Sequence, residues 1–172
     1  MTSVSIPWSL VSIRKPDSSM LIAPTWVNSG GGFFDVQTLP SSGTYTIVVD
    51  PENTDTGSMT LALYDVPADA TSTLTVNGAA ASITITTAGQ NGALTFSSTQ
   101  GQQVTVHVAS NTIGDTTVAL LKPDGTTQTS SSSSASSFDL ATQTLPSTGT
   151  YTVRVDPSQW NTGSIQISVT SP

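Results

Sequence analysis

An all-β fold, an antiparallel β-sandwich with jelly-roll-like connections, is what this sequence predicts, and three observations predict it. Apolar and polar side chains alternate at period two in short runs. Turn-forming residues bound each run. A long segment also recurs 106 positions further along, which marks a duplicated unit. No stretch carries apolar residues at helical spacing over two or three turns.

The runs follow one another along the chain. Val11 and Ile13 open the first, and Tyr45, Ile47 and Val49 alternate in a second. Residues 73–76, 82–87 and 93–97 are further candidates, with Asn77-Gly78 and Asn91-Gly92 read as hairpin turns. In Gln103-Val104-Thr105-Val106-His107-Val108 the valines face one way and Thr105 and His107 the other. Residues 118–121 form a shorter apolar run, predicted to be a central strand. Tyr151, Val153 and Val155 alternate with Thr152 and Arg154, and Ile165, Ile167 and Val169 with Gln166 and Ser168. The serine-rich stretch 130–137 is low in complexity and predicts a flexible loop, as do residues 21–32 at the matching place earlier on.

The recurrence fixes the organisation. Thr38-Leu39-Pro40-Ser41-Ser42-Gly43-Thr44-Tyr45 returns as Thr144-Leu145-Pro146-Ser147-Thr148-Gly149-Thr150-Tyr151, and the match runs on to Asp50-Pro51 and Asp156-Pro157. Thr56-Gly57-Ser58 returns as Thr162-Gly163-Ser164, and Lys15-Pro16-Asp17 as Lys122-Pro123-Asp124 at a spacing of 107. Residues 66–172 therefore read as one complete repeat, and residues 1–65 as a partial one without a counterpart of residues 74–108. A sandwich short of those strands has open edges and half a core. Three outcomes are open: the fragment is disordered, it packs on the complete repeat, or strands of another chain complete it.

These residues also carry a resemblance. Gly92-Ala93-Leu94-Thr95-Phe96, Gly101-Gln102-Gln103-Val104-Thr105-Val106, Val118-Ala119-Leu120-Leu121-Lys122-Pro123-Asp124-Gly125 and Gly149-Thr150-Tyr151-Thr152-Val153-Arg154-Val155 resemble, in that order, the bacterial pre-peptidase C-terminal-like domain. The tandem repeats found in large secreted or surface proteins, YD-repeat proteins included, are the nearest pattern, and residues 63–69 are similar to their linkers. The resemblance implies a sandwich accessory module without catalytic residues of its own.

Composition narrows the function classes. Only 9% of residues are charged and the net charge is −7, so solubility rests on Ser, Thr, Gln and Asn, a pattern that suits an extracellular or cell-surface location. Four basic residues, with Arg14-Lys15 the one adjacent pair, exclude a phosphate-binding face, and no nucleic-acid partner is expected. No stretch has the length of a membrane span, so no membrane insertion is expected, and the opening residues lack a signal-peptide pattern. Cysteine is absent, which excludes disulfides and thiolate metal sites.

Candidate site residues are few. Asp50, Glu52, Asn53 and Asp55 form the densest group of oxygen ligands and are a calcium candidate, the one cofactor considered. Against it, the matching loop, Asp156-Pro157-Ser158-Gln159-Trp160-Asn161, keeps only the first acid, so turn residues are the plainer reading. Trp160 is a candidate sugar platform or a loop-packing residue. Trp8 and Trp26 fall in the partial repeat, where exposed aromatics suit a protein contact. Val48 joins them as an interface candidate because it takes the outward place held by Arg154. His107, the single histidine, reads as a surface residue, and Tyr45 and Tyr151 as core aromatics with hydroxyls at the rim. No paired carboxylates, metal-ligand spacing or catalytic triad order emerges, so no enzyme is expected.

The sequence thus points to a non-catalytic structural module of an extracellular stalk, adhesin or filament. Its expected partners are further copies of itself or neighbouring repeats of a larger protein. The alternative is a carbohydrate- or surface-binding accessory module.

Overall fold

The computed structural model describes residues 4–172, and among them every regular element is a strand. The chain divides into two compact units, Met1–Leu63 and Tyr64–Pro172.

The second unit has two five-stranded sheets around one core. The first sheet orders β4 (Ala70–Thr73), β6 (Gly92–Ser98), β12 (Gly149–Pro157), β8 (Thr116–Leu121) and β9 (Thr127–Ser133). The second orders β10 (Phe138–Asp139), β7 (Gln103–Ala109), β13 (Gly163–Thr170) and β5 (Ala81–Ile85), with β11 (Gln143–Thr144) also on β7. Period-two alternation sends Leu94, Phe96, Val118, Leu120, Tyr151, Val153 and Val155 of the first sheet into the core. Ile83, Ile85, Val104, Val106, Val108, Ile165, Ile167 and Val169 enter it from the second. Phe96 stacks on Tyr151 with ring centres 5.8 Å apart. Pairing is antiparallel except for β4, which runs parallel to β6.

Several sequence expectations need correction here. The serine-rich stretch is not a loop throughout: residues 127–133 form β9, paired antiparallel with β8, so its first half is strand and only residues 134–137 make the connection. An edge strand is held through its backbone, so it needs no apolar alternation that a sequence would display. Asn77-Gly78 and Asn91-Gly92 are not hairpin turns, because β4, β5 and β6 alternate between sheets and each connection crosses the core. Residues 73–76 are not a strand of their own. The strand there is β4, which ends at Thr73, and Leu74 extends its pairing with one further bond to Thr95.

The first unit has a single three-stranded sheet, ordered β2 (Met20–Asn28), β1 (Trp8–Arg14) and β3 (Thr46–Pro51). Strand β2 lies where residues 21–32 were expected to loop; it pairs with β1 through an irregular register between Val11 and Arg14. Among the described residues of the first unit the buried apolar side chains are Ile6, Val11 and Val27, far fewer than in the core of the second unit. Among the described residues β3 is an edge strand, bonded to β1 on one side.

Local arrangements recur between the units at the spacing of the sequence match. The Tyr45 hydroxyl donates to the Ser41 carbonyl at 2.8 Å, and Tyr151 to Ser147 at 2.8 Å. Asp17 accepts from the backbone and hydroxyl of Ser19, as Asp124 does from Thr126. The Ser58 amide donates to the Ser5 hydroxyl at 2.8 Å, and the Ser164 amide to that of Thr112 at 2.9 Å. A Cβ on Gly43 would sit 2.7 Å from Pro16 Cγ, and one on Gly149 2.7 Å from Pro123 Cγ. Both positions therefore need glycine, by space and by backbone angle.

Candidate functional site

The loop after β3 builds a turn. Glu52 donates its amide to the Trp8 carbonyl at 3.0 Å, and Asp55 donates its amide to the Glu52 carbonyl at 2.8 Å. The matching loop repeats both bonds, Ser158 to Asp115 at 3.0 Å and Asn161 to Ser158 at 3.2 Å. The Asp55 carboxylate accepts the Trp8 amide at 3.3 Å, Asn53 takes a left-handed backbone (φ 49°), and Asp50 lies within β3 opposite Leu10. Asp50, Glu52 and Asn53 are exposed and Asp55 half-buried. Among the described residues, no three His, Cys, Asp or Glu side chains gather where they could hold a metal ion.

Trp8 and Trp26 meet on one face of the three-stranded sheet. Leu10 pairs with Trp26 across β1 and β2, which sets the two rings on the same side, edge to face at 6.2 Å between centres. They remain 46% and 53% exposed, so the pair forms an aromatic patch at the surface. Val48 is half-buried, while its neighbour Ile47, on the other face, is 40% exposed. Trp160 stands about half exposed on the turn that the Asn161–Ser158 bond closes.

Strand pairing also produces a constellation that sequence reading missed. The His107 Nδ1 lies 2.9 Å from Asp139 Oδ1, and its Nε2 lies 2.8 Å from Thr170 Oγ1. The three residues come from β7, β10 and β13, and no local motif joins them. An acid–imidazole–hydroxyl chain is the order of a nucleophilic triad. Here it lies on a sheet surface, and none of its three residues lines the recess at Ser97 and Thr148 or the one beside Arg154. It ties three strands together through their side chains.

The larger of these cavities, about 410 Å³, is a shallow recess between Ser97, Ser98, Gln102 and Thr148. The smaller, about 210 Å³, lies on the outer face of β8 and β12 beside the Arg154–Asp156 ion pair, which measures 2.7 Å. Both are open to solvent, unlike the enclosed pockets that hold small ligands.

No model of a known protein family matches the sequence, and no curated protein matches it. Among solved structures, the chain is similar to two periplasmic inhibitors of g-type lysozyme, PliG of Aeromonas hydrophila and of Salmonella Typhimurium. The first is 17% identical (TM-score 0.41) over 59% of this chain and 99% of its own. The second is 18% identical (TM-score 0.37) over 58% and 98%. It is also similar, at 10% identity and a TM-score of 0.49 over 61% of this chain and 99% of that one, to the pre-peptidase C-terminal domain of collagenase from Bacillus anthracis.

Proposed function

We propose that this chain is a non-catalytic extracellular structural module. In this reading it is a tandem of jelly-roll-like sandwiches whose first member is partial and is completed by a neighbouring subunit. One observation carries the reading. Ile167 and Val169 of β13 are wholly buried between two neighbouring strands. The residues 106 positions earlier, Leu61 and Leu63, keep the same alternation yet are 49% and 87% exposed. A segment patterned for the middle of a sheet thus lies outside any strand, and among the described residues no strand flanks it. The exposed Trp8, Trp26, Met20 and Leu39 of the same unit add to its unburied apolar surface. The polar, weakly charged composition supports an extracellular place.

Light scattering over a concentration series tests this. Mass above that of one chain, rising with concentration, supports assembly; a monomer at every concentration overturns it. A carbohydrate-binding module is the second reading, favoured by the exposed Trp160. Retention on polysaccharide columns that is lost in Trp160→Ala would support it.

A further inference from the structure

We infer that the first unit assembles head to tail with a second copy of this chain: the apolar linker of one copy pairs antiparallel with the free edge of β3 in the next. The inference rests on the assembly reading above and identifies the two surfaces that meet.

The acceptor is the outer edge of β3. In the second unit the matching strand, β12, is bonded on both sides, to β8 and to β6. Strand β6 runs antiparallel to it, with Leu94 opposite Val153 and Phe96 opposite Tyr151. Among the described residues of the first unit β3 is bonded to β1 alone, so there that second edge is open. Residues 44–49 there carry no charge, proline or bulge, the devices that normally protect an edge, and Asp50 and Pro51 follow only at the far end of β3. Ile47, whose counterpart Val153 is wholly buried, stands exposed beside the open edge.

The donor is the segment Leu61-Ala62-Leu63-Tyr64, which lies outside any strand. Linkers between units are ordinarily polar. Residues 61–63 of this one alternate large apolar and small residues as Leu94-Thr95-Phe96 of β6 do, and Leu63 is 87% exposed. Laid antiparallel along β3, Leu61 and Leu63 take the places of Leu94 and Phe96, opposite Ile47 and Tyr45. Ala62 then faces Thr46. Backbone pairing supplies the affinity and the two leucines the register, as in strand addition generally. Each copy offers one donor and one acceptor, so the contact is heterologous and leaves a free site at either end. The residues that pair, 45–47 and 61–63, carry no charge, so added salt should change the association little.

The absence of cysteine makes the test direct. Thr46→Cys and Ala62→Cys, both at exposed positions, are prepared separately, one with a mass tag, and treated with a short bis-maleimide alone and mixed. Crosslinked dimer in the mixture, with none from either variant alone, is expected, as is its loss when Leu61→Lys and Leu63→Lys are added to the donor. Dimer from Thr46→Cys alone would mean two β3 edges pair with each other, which overturns the proposal. An intramolecular crosslink in monomeric Thr46→Cys/Ala62→Cys would mean that the linker closes its own edge, which also overturns it. Oligomers by light scattering without a 46–62 crosslink would overturn this contact and leave the assembly reading standing. A monomer throughout would overturn both.

Discussion

Tyr151 donates its phenolic hydrogen to the carbonyl of Ser147, four residues upstream, at 2.8 Å, with its ring wholly buried. The ring fills core space while the hydroxyl pins the turn leading into β12. Tyr151→Phe keeps the ring and removes the bond, so it should cost about 1 kcal/mol of stability in urea unfolding. Tyr45, with the same bond from a half-buried ring, should show a smaller loss on Tyr45→Phe. Equal losses would mean that burial does not weight the bond.

Gly92 is a packing residue. A Cβ there would collide with Cδ1 of Ile83 across the core. Gly92→Ala should therefore cost about 1–3 kcal/mol. Ile83→Val removes the colliding methyl, so the double variant should recover part of the loss. A double-mutant cycle with no coupling would contradict this geometry.

Ser9 and Thr116 hold matching places in β1 and β8, and both are wholly buried. The Thr116 hydroxyl donates to the Asp156 carbonyl at 3.0 Å, whereas the Ser9 hydroxyl has no hydrogen-bond partner among the described residues. Ser9→Ala should be neutral or stabilising, and Thr116→Val should cost about 1 kcal/mol. Thermal melts of the two variants against the parent chain check both signs.

Hydrogen bonds from Ser19 to Asp17 and from Thr126 to Asp124 hold the two carboxyls below their ordinary value of 3.8. A depressed folded pKa means that each turn gains stability above the unfolded value and loses it as pH falls through the lower, folded one. Carboxyl NMR titration should place both midpoints below 3.8, and Ser19→Ala or Thr126→Ala should raise the matching midpoint alone. A midpoint unmoved by its partner's removal would contradict the assignment.

Ile167 and Leu61 carry the contrast between the units. Ile167→Ala should cost about 2–5 kcal/mol, because it opens a cavity in a closed core. Leu61→Ala should leave unfolding of the dilute protein nearly unchanged while lowering binding of a hydrophobic dye. A large loss from Leu61→Ala in the monomer would mean that its side chain is already buried.

Strands whose side chains face a core announced themselves in the sequence. Val104, Val106 and Val108, like Ile165, Ile167 and Val169, alternate because one face of each strand is buried. The serines of β9 carry no such mark, since an edge strand is held by its backbone. The exchange of β4, β5 and β6 between sheets was equally hidden, because a turn sequence records how sharply the chain bends and not which sheet it enters. His107, Asp139 and Thr170 meet only through strand pairing across gaps of 32 and 63 residues. The turn role of Asp55 depends on the amide of Trp8, 47 residues before it.

The position of β13 bears on how the second unit carries mechanical load. As the last strand it lies between β5 and β7, hydrogen-bonded along both sides. Tension applied at Pro172 along the strand axis shears two ladders at once, where an edge strand would peel away bond by bond. Single-molecule pulling from Pro172 should therefore record one high rupture force, and Ile167→Ala should lower it; a series of small steps would show instead that the strand unzips.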